Sequence, residues 1–180
     1  MVPRMPKQAW TVAMVLTALV ALGVVGLAYW HRGLELAEER TQATQARAEA
    51  TRARSEAIEA HAGAAEAEMA AAFQEQATAL AEGGADGIVI ETMSDPVEAR
   101  LAVQAAKATR LPVVGCMVFD SGKNQDRTMM GTTPEQAAEI LAAAGADVVG
   151  ANCGQGIAGF VPLCMRLKAA CGLPIWIKAN

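Results

Sequence analysis

The chain has 180 residues, 53% of them hydrophobic but only 4% aromatic, and a formal net charge of −4. This length accommodates one domain of ordinary size and an appendage. The charge includes no basic cluster, which excludes nucleic acid as the main partner. The four cysteines show no framework-like spacing and predict reduced thiols rather than a disulfide scaffold: Cys116, Cys153, Cys164 and Cys171.

Residues 1–30 form the first predicted region, a tail and a transmembrane helix. Residues 9–30 contain no charged side chain, and 22 helical residues at about 1.5 Å each span a bilayer core of roughly 30 Å. Trp10 and Trp30 stand at the two ends, where aromatic rings favour the lipid–water boundary. A signal peptide and a buried helix are the alternatives. More arginines follow this segment than basic residues precede it, which favours a single-pass protein with a cytoplasmic C-terminal domain.

Residues 31–68 form the second region, which is rich in Ala, Glu, Gln and Arg. From Leu34 onward the stretch has no proline, and Gly63 is its one helix breaker. Charges of both signs surround the predicted helix, and large apolar residues are scarce. A solvated helical spacer and a weak alanine-type coiled coil are the two interpretations.

Residues 69–180 form the third region, in which short apolar runs alternate with amphipathic segments. Four runs suit parallel strands that are buried on both faces: 87–91, 112–119, 147–152 and 174–179. Helix starts are marked at Asp95-Pro96 and Thr133-Pro134, each an N-cap residue followed by proline. Gly-Ala-Asp and Leu-Pro signals both recur about sixty residues apart, as two βα units would.

This pattern predicts an α/β fold, either a doubly wound sheet or a barrel. Because no Gly-x-Gly-x-x-Gly follows the first strand, we favour a partial (β/α)8 TIM-type barrel of about four βα units, preceded by the transmembrane helix and the long helical spacer. Such a half barrel exposes two sheet edges, so we expect a homo-oligomer or a complementing barrel half as a partner.

Polar residues follow the predicted strands and would meet at one rim: Glu91-Thr92, Phe119-Asp120, Asn152-Cys153 and Asn180. Glu91 is either a binding residue or an acid satisfied by backbone donors. Cys153 is either a ligand or nucleophile, or a small buried hydrophobe. Cys116 is expected in the core, and Cys164 and Cys171 as packing residues that flank the next helix. The polar loop 120–132 is expected to cover the rim.

From about residue 69 onward the chain resembles the homocysteine-binding barrel of the zinc-dependent homocysteine S-methyltransferases, best the type found in cobalamin-dependent methionine synthases. The resembling segments are Glu75–Asp86, Ile90–Asp95, Met130–Glu135, Gly150–Gly154 and Lys178–Asn180. The resemblance implies that homocysteine is the substrate, with Glu91 holding its amino group, Thr92 and Asn152 as further substrate-binding residues, and Cys153 as a zinc ligand.

The resemblance also implies a reaction. A zinc-activated thiolate of homocysteine would accept a methyl group to give methionine, with methylcobalamin as a donor that this segment does not bind. The family's other two zinc ligands, an adjacent cysteine pair, have no match in the sequence. We therefore expect zinc binding by this chain alone to be weak or absent. The alternatives are a membrane-anchored, non-catalytic scaffold that carries a barrel remnant, and an aldolase with Lys178 as its lysine.

Overall fold

The computed structural model describes residues 7–179, which form four helices and four strands in two compact units, Met1–Glu59 and Ala60–Asn180. The first helix, α1, comprises Lys7–Glu82. It continues without a break through Gly63, because the cost of one glycine, about 1 kcal/mol, is small among so many strong helix formers.

In the N-terminal unit, the described residues are all helical, and the apolar residues between Trp10 and Trp30 are exposed. One helix in the described part of the chain is long and apolar enough to cross a membrane, with a mean hydropathy of 2.4 in its most apolar window and none of that window buried. A signal sequence near the N-terminus meets the same criterion.

The C-terminal unit begins within α1. Residues 60–68, which we predicted to be spacer, belong to this unit, and Glu66 pairs with Arg100 at 3.0 Å. Further along α1, Phe73 and Ala77 pack against the core of the unit. The amphipathic stretch that follows residue 60 therefore serves as the first helix of the α/β unit.

The rest of the unit alternates strands and helices: β1 (Ile88–Met93), α2 (Pro96–Ala108), β2 (Val113–Met117), α3 (Pro134–Ala144), β3 (Val148–Asn152), α4 (Ile157–Ala170) and β4 (Ile175–Lys178). Each strand of the single sheet pairs in parallel with its neighbour in the chain, in the order β1-β2-β3-β4. Both predicted helix starts are confirmed. The Asp95 carboxylate accepts bonds from the first turn of α2, and Thr133 forms a capping box with Gln136.

The sequence repeat has a structural reason. The carbonyl oxygens of Pro112 and Pro174 accept hydrogen bonds from Ile88 and Val149, so each Leu-Pro signal fixes the start of a strand against its neighbour. In the second Gly-Ala-Asp signal, Asp147 accepts a 2.8 Å bond from the amide of Val113 and two bonds from Lys107. The pKa of Asp147 is lowered, first by the bonds from Lys107 and next by the backbone bond.

The core lies on one face of the sheet, beneath α2, α3 and α4. Its fully buried members come from every layer: Val103, Val113, Met117, Leu141, Val149 and Leu167. Gly115 permits this packing, since a Cβ there would lie 3.0 Å from Leu141 and 3.2 Å from Val103.

The opposite face of the sheet carries Val89, Cys116, Gly150 and Trp176. Val89 and Trp176 are exposed, and a Cβ at Gly150 would collide with the carbonyl oxygen of Trp176 and lie 2.8 Å from Cys116 Sγ. Only glycine fits where these strands crowd together.

Candidate functional site

Glu91 and Lys178 form an ion pair across the open face of the sheet. Lys178 Nζ lies 2.9 and 3.0 Å from the two carboxylate oxygens of Glu91. The residues belong to the two outer strands, whose axes would be about 14 Å apart in a flat sheet of 4.7–4.9 Å spacing. The sheet curls toward this face, because Cα atoms of β1 and β3 approach within 8 Å of each other, whereas they would be roughly 9.6 Å apart in a flat sheet. Glu91 is thus held by a side chain rather than by the backbone donors that we had considered.

A distortion at the end of β1 positions the neighbouring residue, Thr92. The pairing of β1 with β2 shifts register between Ile90 and Met93, and Thr92 adopts a left-handed φ of 64°. This conformation is rare for a β-branched residue and costs about 1–3 kcal/mol. Such strain persists only where surrounding contacts enforce it, and it is concentrated at functional sites.

Asn152 supplies those contacts from the end of β3. Its side-chain oxygen accepts a 2.7 Å bond from the Thr92 amide, and its side-chain nitrogen donates a 2.7 Å bond to Thr92 Oγ1. Asn152 is fully buried. A buried amide with both ends satisfied fixes its partners rigidly, so β1 and β3 are joined at their carboxyl ends although β2 lies between them.

Cys153 joins the same cluster. Its Sγ lies 3.4 Å from Asn152 Nδ2 and 3.7 Å from Thr92 Oγ1. Its backbone amide donates a 3.3 Å hydrogen bond to the carbonyl oxygen of Lys178. Cys153 also has a left-handed φ, 59°. The residue is half-buried rather than enclosed, which argues against a role as a small core hydrophobe.

The structure therefore brings together four groups that the sequence predicted at this rim, the carboxylate, hydroxyl, amide and thiol of Glu91, Thr92, Asn152 and Cys153. Phe119 and Asp120, which were also predicted at this rim, do not join the cluster. Phe119 is fully buried in the core, because β2 ends two residues earlier and the chain turns inward. Asp120 is exposed and bonds to Ser121. Asn180 lies outside the described residues.

The glycine-rich turn after Cys153 packs against the loop that follows β2. A Cβ at Gly154, whose φ is 81°, would lie 3.1 Å from both Asp120 and Val118. Gln155 donates hydrogen bonds to the carbonyl oxygens of Phe119 and Gln125. Residues 120–132 are thus held beside the strand ends.

The other cysteines are not part of this cluster of strand-end residues, although Cys116 lies close enough to Glu91 and Lys178 for their charges to act on its thiol. Cys116 is fully buried, and desolvation first, then the charge of Glu91, raises the pKa of its thiol to about 12. The prediction that Cys164 and Cys171 flank a helix was wrong for Cys164, which lies inside α4. Cys171 caps the end of α4 and contacts the Leu167 carbonyl oxygen.

The residues present do not fit a complete zinc site. Catalytic zinc normally has three protein ligands, and within residues 7–179 no group of three or more His, Cys, Asp or Glu side chains is placed to hold a metal ion. Cys153 offers one thiol, and its neighbours in the structure are an amide and a hydroxyl, which are poor zinc ligands.

Sequence reasoning missed the pairing of Lys178 with Glu91, since it considered this lysine only as an aldolase residue. The hydrogen bond that Lys178 donates to Glu91, and then the negative charge of Glu91, raise the pKa of Lys178. A lysine that forms a Schiff base needs the opposite shift, so the pairing with Glu91 does not favour the aldolase alternative. Both residues end strands, which was the available signal, but the strands are not adjacent.

A singly wound parallel sheet with a strained polar cluster at the carboxyl ends of its strands is the arrangement of α/β enzymes that bind small molecules at that edge. Residues 27–180 match the homocysteine S-methyltransferase family. The match covers most of the sequence, and the chain belongs to this family. The family match begins at residue 27, whereas the resemblance described in the sequence analysis begins at about residue 69.

A solved structure agrees with this assignment at the level of the fold. The chain is similar to the homocysteine methyltransferase MmuM from Escherichia coli in its apo form, with a TM-score of 0.52 and 20% sequence identity. The similarity covers 62% of this chain and 44% of that protein, so the chain corresponds to less than half of its length. Comparison with curated proteins finds no match.

Proposed function

We propose that this chain is a homocysteine-binding domain of a homocysteine S-methyltransferase, which presents the thiol of homocysteine to a methyl donor and so yields methionine. Membership of the family supports the proposal. The observation that carries it is the Glu91 carboxylate, held at the carboxyl end of β1 on the open face of the sheet.

Glu91 binds the ammonium group of homocysteine in this proposal. Its partner Lys178 carries the complementary charge, and the exposed ammonium group of Lys178 lies 2.9 Å from the half-buried carboxylate of Glu91. An amino acid is a zwitterion, so it can replace this pair by two others, ammonium with Glu91 and carboxylate with Lys178. Each is a charge-assisted hydrogen bond. Lys178 is therefore proposed as the residue that binds the substrate carboxylate.

Thr92, Asn152 and Cys153 lie beside the Glu91–Lys178 pair, at the carboxyl ends of β1 and β3. The substrate-binding roles that we predicted for Thr92 and Asn152 stay predictions. We also propose a positioning role for Asn152, because its buried side-chain amide contacts both Thr92 and Cys153. Cys153 is proposed to supply one zinc ligand, as the family resemblance implies.

The fold is proposed to be half of a TIM-type barrel. The sheet order β1-β2-β3-β4, the helices packed on one face and the curl toward the other support this assignment. In such barrels the carboxyl ends of the strands carry the active site, which is where the Glu91 and Cys153 cluster lies.

Residues 9–30 are proposed to anchor the chain in a membrane as a single-pass segment, with the C-terminal domain on the cytoplasmic side. Their large apolar residues are exposed, with Leu22 at 69% and Val20 at 66%. A stretch that is apolar on all sides requires an apolar environment. The helical stretch that follows, up to residue 59, is proposed as the spacer.

A non-catalytic scaffold anchored to the membrane is the second candidate function, favoured by the lack of a three-ligand metal group within residues 7–179. The two candidates differ in whether the Glu91–Lys178 pair recognises an amino acid.

Calorimetry with three compounds tests the proposal. We expect the chain to bind L-homocysteine, and to bind N-acetyl-L-homocysteine and L-homocysteine methyl ester at least about tenfold more weakly, since each analogue lacks one charge-assisted bond. Equal affinity for all three compounds, or no binding of any of them, would favour the scaffold.

A further inference from the structure

The chain that follows β2 leaves the sheet in the middle of the strand-end cluster. β2 lies between β1 and β3, so the loop after β2 begins between Thr92 and Cys153. The amide of Val118 donates a 2.9 Å hydrogen bond to the carbonyl oxygen of Met93 and so ties the beginning of this loop to the end of β1. The residues that come next along the loop therefore lie at the border of the candidate site.

The segment 121–127 of this loop has little support of its own. The amides of Ser121 and Arg127 donate hydrogen bonds of 3.0 and 3.2 Å to each other's carbonyl oxygens, which closes a short antiparallel turn. All residues of the segment are exposed or half-buried. An isolated turn of this kind opens readily, so contacts from outside the segment fix its position. Asp126 makes one such contact, with Arg166 at 2.7 Å.

Gln155 makes the other contact, from the turn after β3. Its side-chain nitrogen donates a 3.1 Å hydrogen bond to the carbonyl oxygen of Phe119 and a 3.2 Å hydrogen bond to the carbonyl oxygen of Gln125. Gln155 is half-buried and stands two residues after Cys153 in the chain. One amide group thus joins the turn that carries Cys153 to two points of the loop after β2.

The helix that follows Gln155 leaves space for its side chain. A Cβ at Gly159, in the first turn of α4, would collide with Oε1 of Gln155. Glycine is less favourable than alanine in a helix by about 1 kcal/mol. α4 therefore has a weak helix former at the position where a larger residue would displace the Gln155 amide.

We propose that Gln155 is a positioning residue of the candidate site, whose side-chain amide holds the segment 121–127 against the turn that carries Cys153. The segment then forms the wall of the site on the side of β2. Gln155 acts through this segment and not on the substrate itself. The inference rests on the proposed function, because the site that the segment borders is the one proposed to bind homocysteine.

Hydrogen exchange of the full 180-residue chain in detergent, read by mass spectrometry without substrate, tests this role. Gln155→Glu keeps the size of the side chain but removes both donated bonds. The amides of Ser121, Gln125 and Arg127, which are bonded within the segment, should then exchange at least about tenfold faster. Gln125→Glu is the matched control. It makes the same substitution at an exposed position of the segment and keeps the carbonyl oxygen that Gln155 binds, so exchange should match the wild type.

Gly159→Ala displaces the Gln155 side chain by a second route. The substitution raises the helix propensity of α4, so the urea midpoint of the chain should not fall. Exchange in the segment 121–127 should nevertheless become at least about fivefold faster, as the loss of one hydrogen bond of about 1 kcal/mol would cause. This variant separates the position of the Gln155 amide from the stability of the whole unit.

Alkylation by N-ethylmaleimide, measured for each cysteine by peptide mass spectrometry, is the second readout. Cys153 is half-buried beside the segment, so it should react at least about fivefold faster in Gln155→Glu. Cys116 is fully buried and should react as slowly as in the wild type, because its alkylation requires the unit to open. Faster alkylation of both cysteines would overturn the proposal, since the substitution would then destabilise the unit as a whole.

The proposal is also overturned if Gln155→Glu leaves exchange in the segment and alkylation of Cys153 unchanged, or if Gln125→Glu changes them equally. The affinity for L-homocysteine separates this inference from the proposed function. A wild-type chain that binds no homocysteine contradicts the proposed function, whereas exchange and alkylation still decide the role of Gln155. Where the wild type binds homocysteine, equal affinity in Gln155→Glu contradicts the role of the segment as a wall of the site.

Discussion

At the scale of single residues, the site depends on one buried amide. Thr92 and Cys153 both adopt left-handed φ values that their side chains disfavour. Asn152 contacts both and is fully buried. The bonds from Asn152 therefore help to hold these two strained residues in place.

Replacing Asn152 by alanine should destabilise the ends of β1 and β3. The substitution leaves the Thr92 amide without its bond and opens a small cavity, so we expect a loss of about 1–3 kcal/mol. Amide hydrogen exchange read by mass spectrometry should show faster exchange in both strands. Asn124→Ala, at an exposed loop position, is the control. Unchanged protection at residue 92 would show that the strain is sustained in another way.

At the scale of elements, ion pairs of Arg166 connect the loop after β2 to α3 and α4. Arg166 on α4 bonds to Asp126 at 2.7 Å and to Glu135 at the start of α3 at 2.6 and 2.8 Å. The hydrogen bond from Arg166 lowers the pKa of Glu135 from 4.5 to about 2. Glu135 is partly exposed, so solvent screens much of this interaction.

This ion pair predicts a pH dependence of stability. Because the pKa of folded Glu135 is depressed, its contribution is complete above the ordinary value of 4.5 and is lost as the pH falls toward 2. Glu135→Gln should reduce the acid sensitivity within this window by at most about 1 kcal/mol, the upper range for exposed pairs. Urea unfolding at several pH values measures it, with Glu139→Gln on the same helix as the control. An identical slope in Glu135→Gln would refute this assignment.

Much at the scale of elements could be predicted from the sequence. The strand runs are apolar, and Asp95-Pro96 and Thr133-Pro134 mark helix starts by local chemistry, so both were predicted correctly. The pairing of Glu91 with Lys178 could not be predicted. It joins two residues that are 87 positions apart in the chain, and it depends on how strongly the sheet curls. The burial of Phe119 was also missed, because a strand end is set by tertiary packing rather than by local propensity.

At the scale of the whole molecule, the chain joins an exposed apolar helix to an α/β unit of the homocysteine S-methyltransferase family. The unit places its polar cluster at the carboxyl ends of the parallel strands, on the face of the sheet opposite the core. The proposed recognition of homocysteine belongs to the Glu91–Lys178 pair, which lies on the open face of the sheet, opposite the core.

The affinity of the chain for L-homocysteine before and after Glu91→Gln tests the central claim most directly. Calorimetry should show at least about tenfold weaker binding for the variant, because a neutral amide replaces the carboxylate that would hold the ammonium group. Glu82→Gln, at the end of α1, removes an equal charge before β1 begins and should bind as the wild type does. If Glu91→Gln binds L-homocysteine as tightly as the wild type, Glu91 is not the amino-group ligand and the proposed site is wrong.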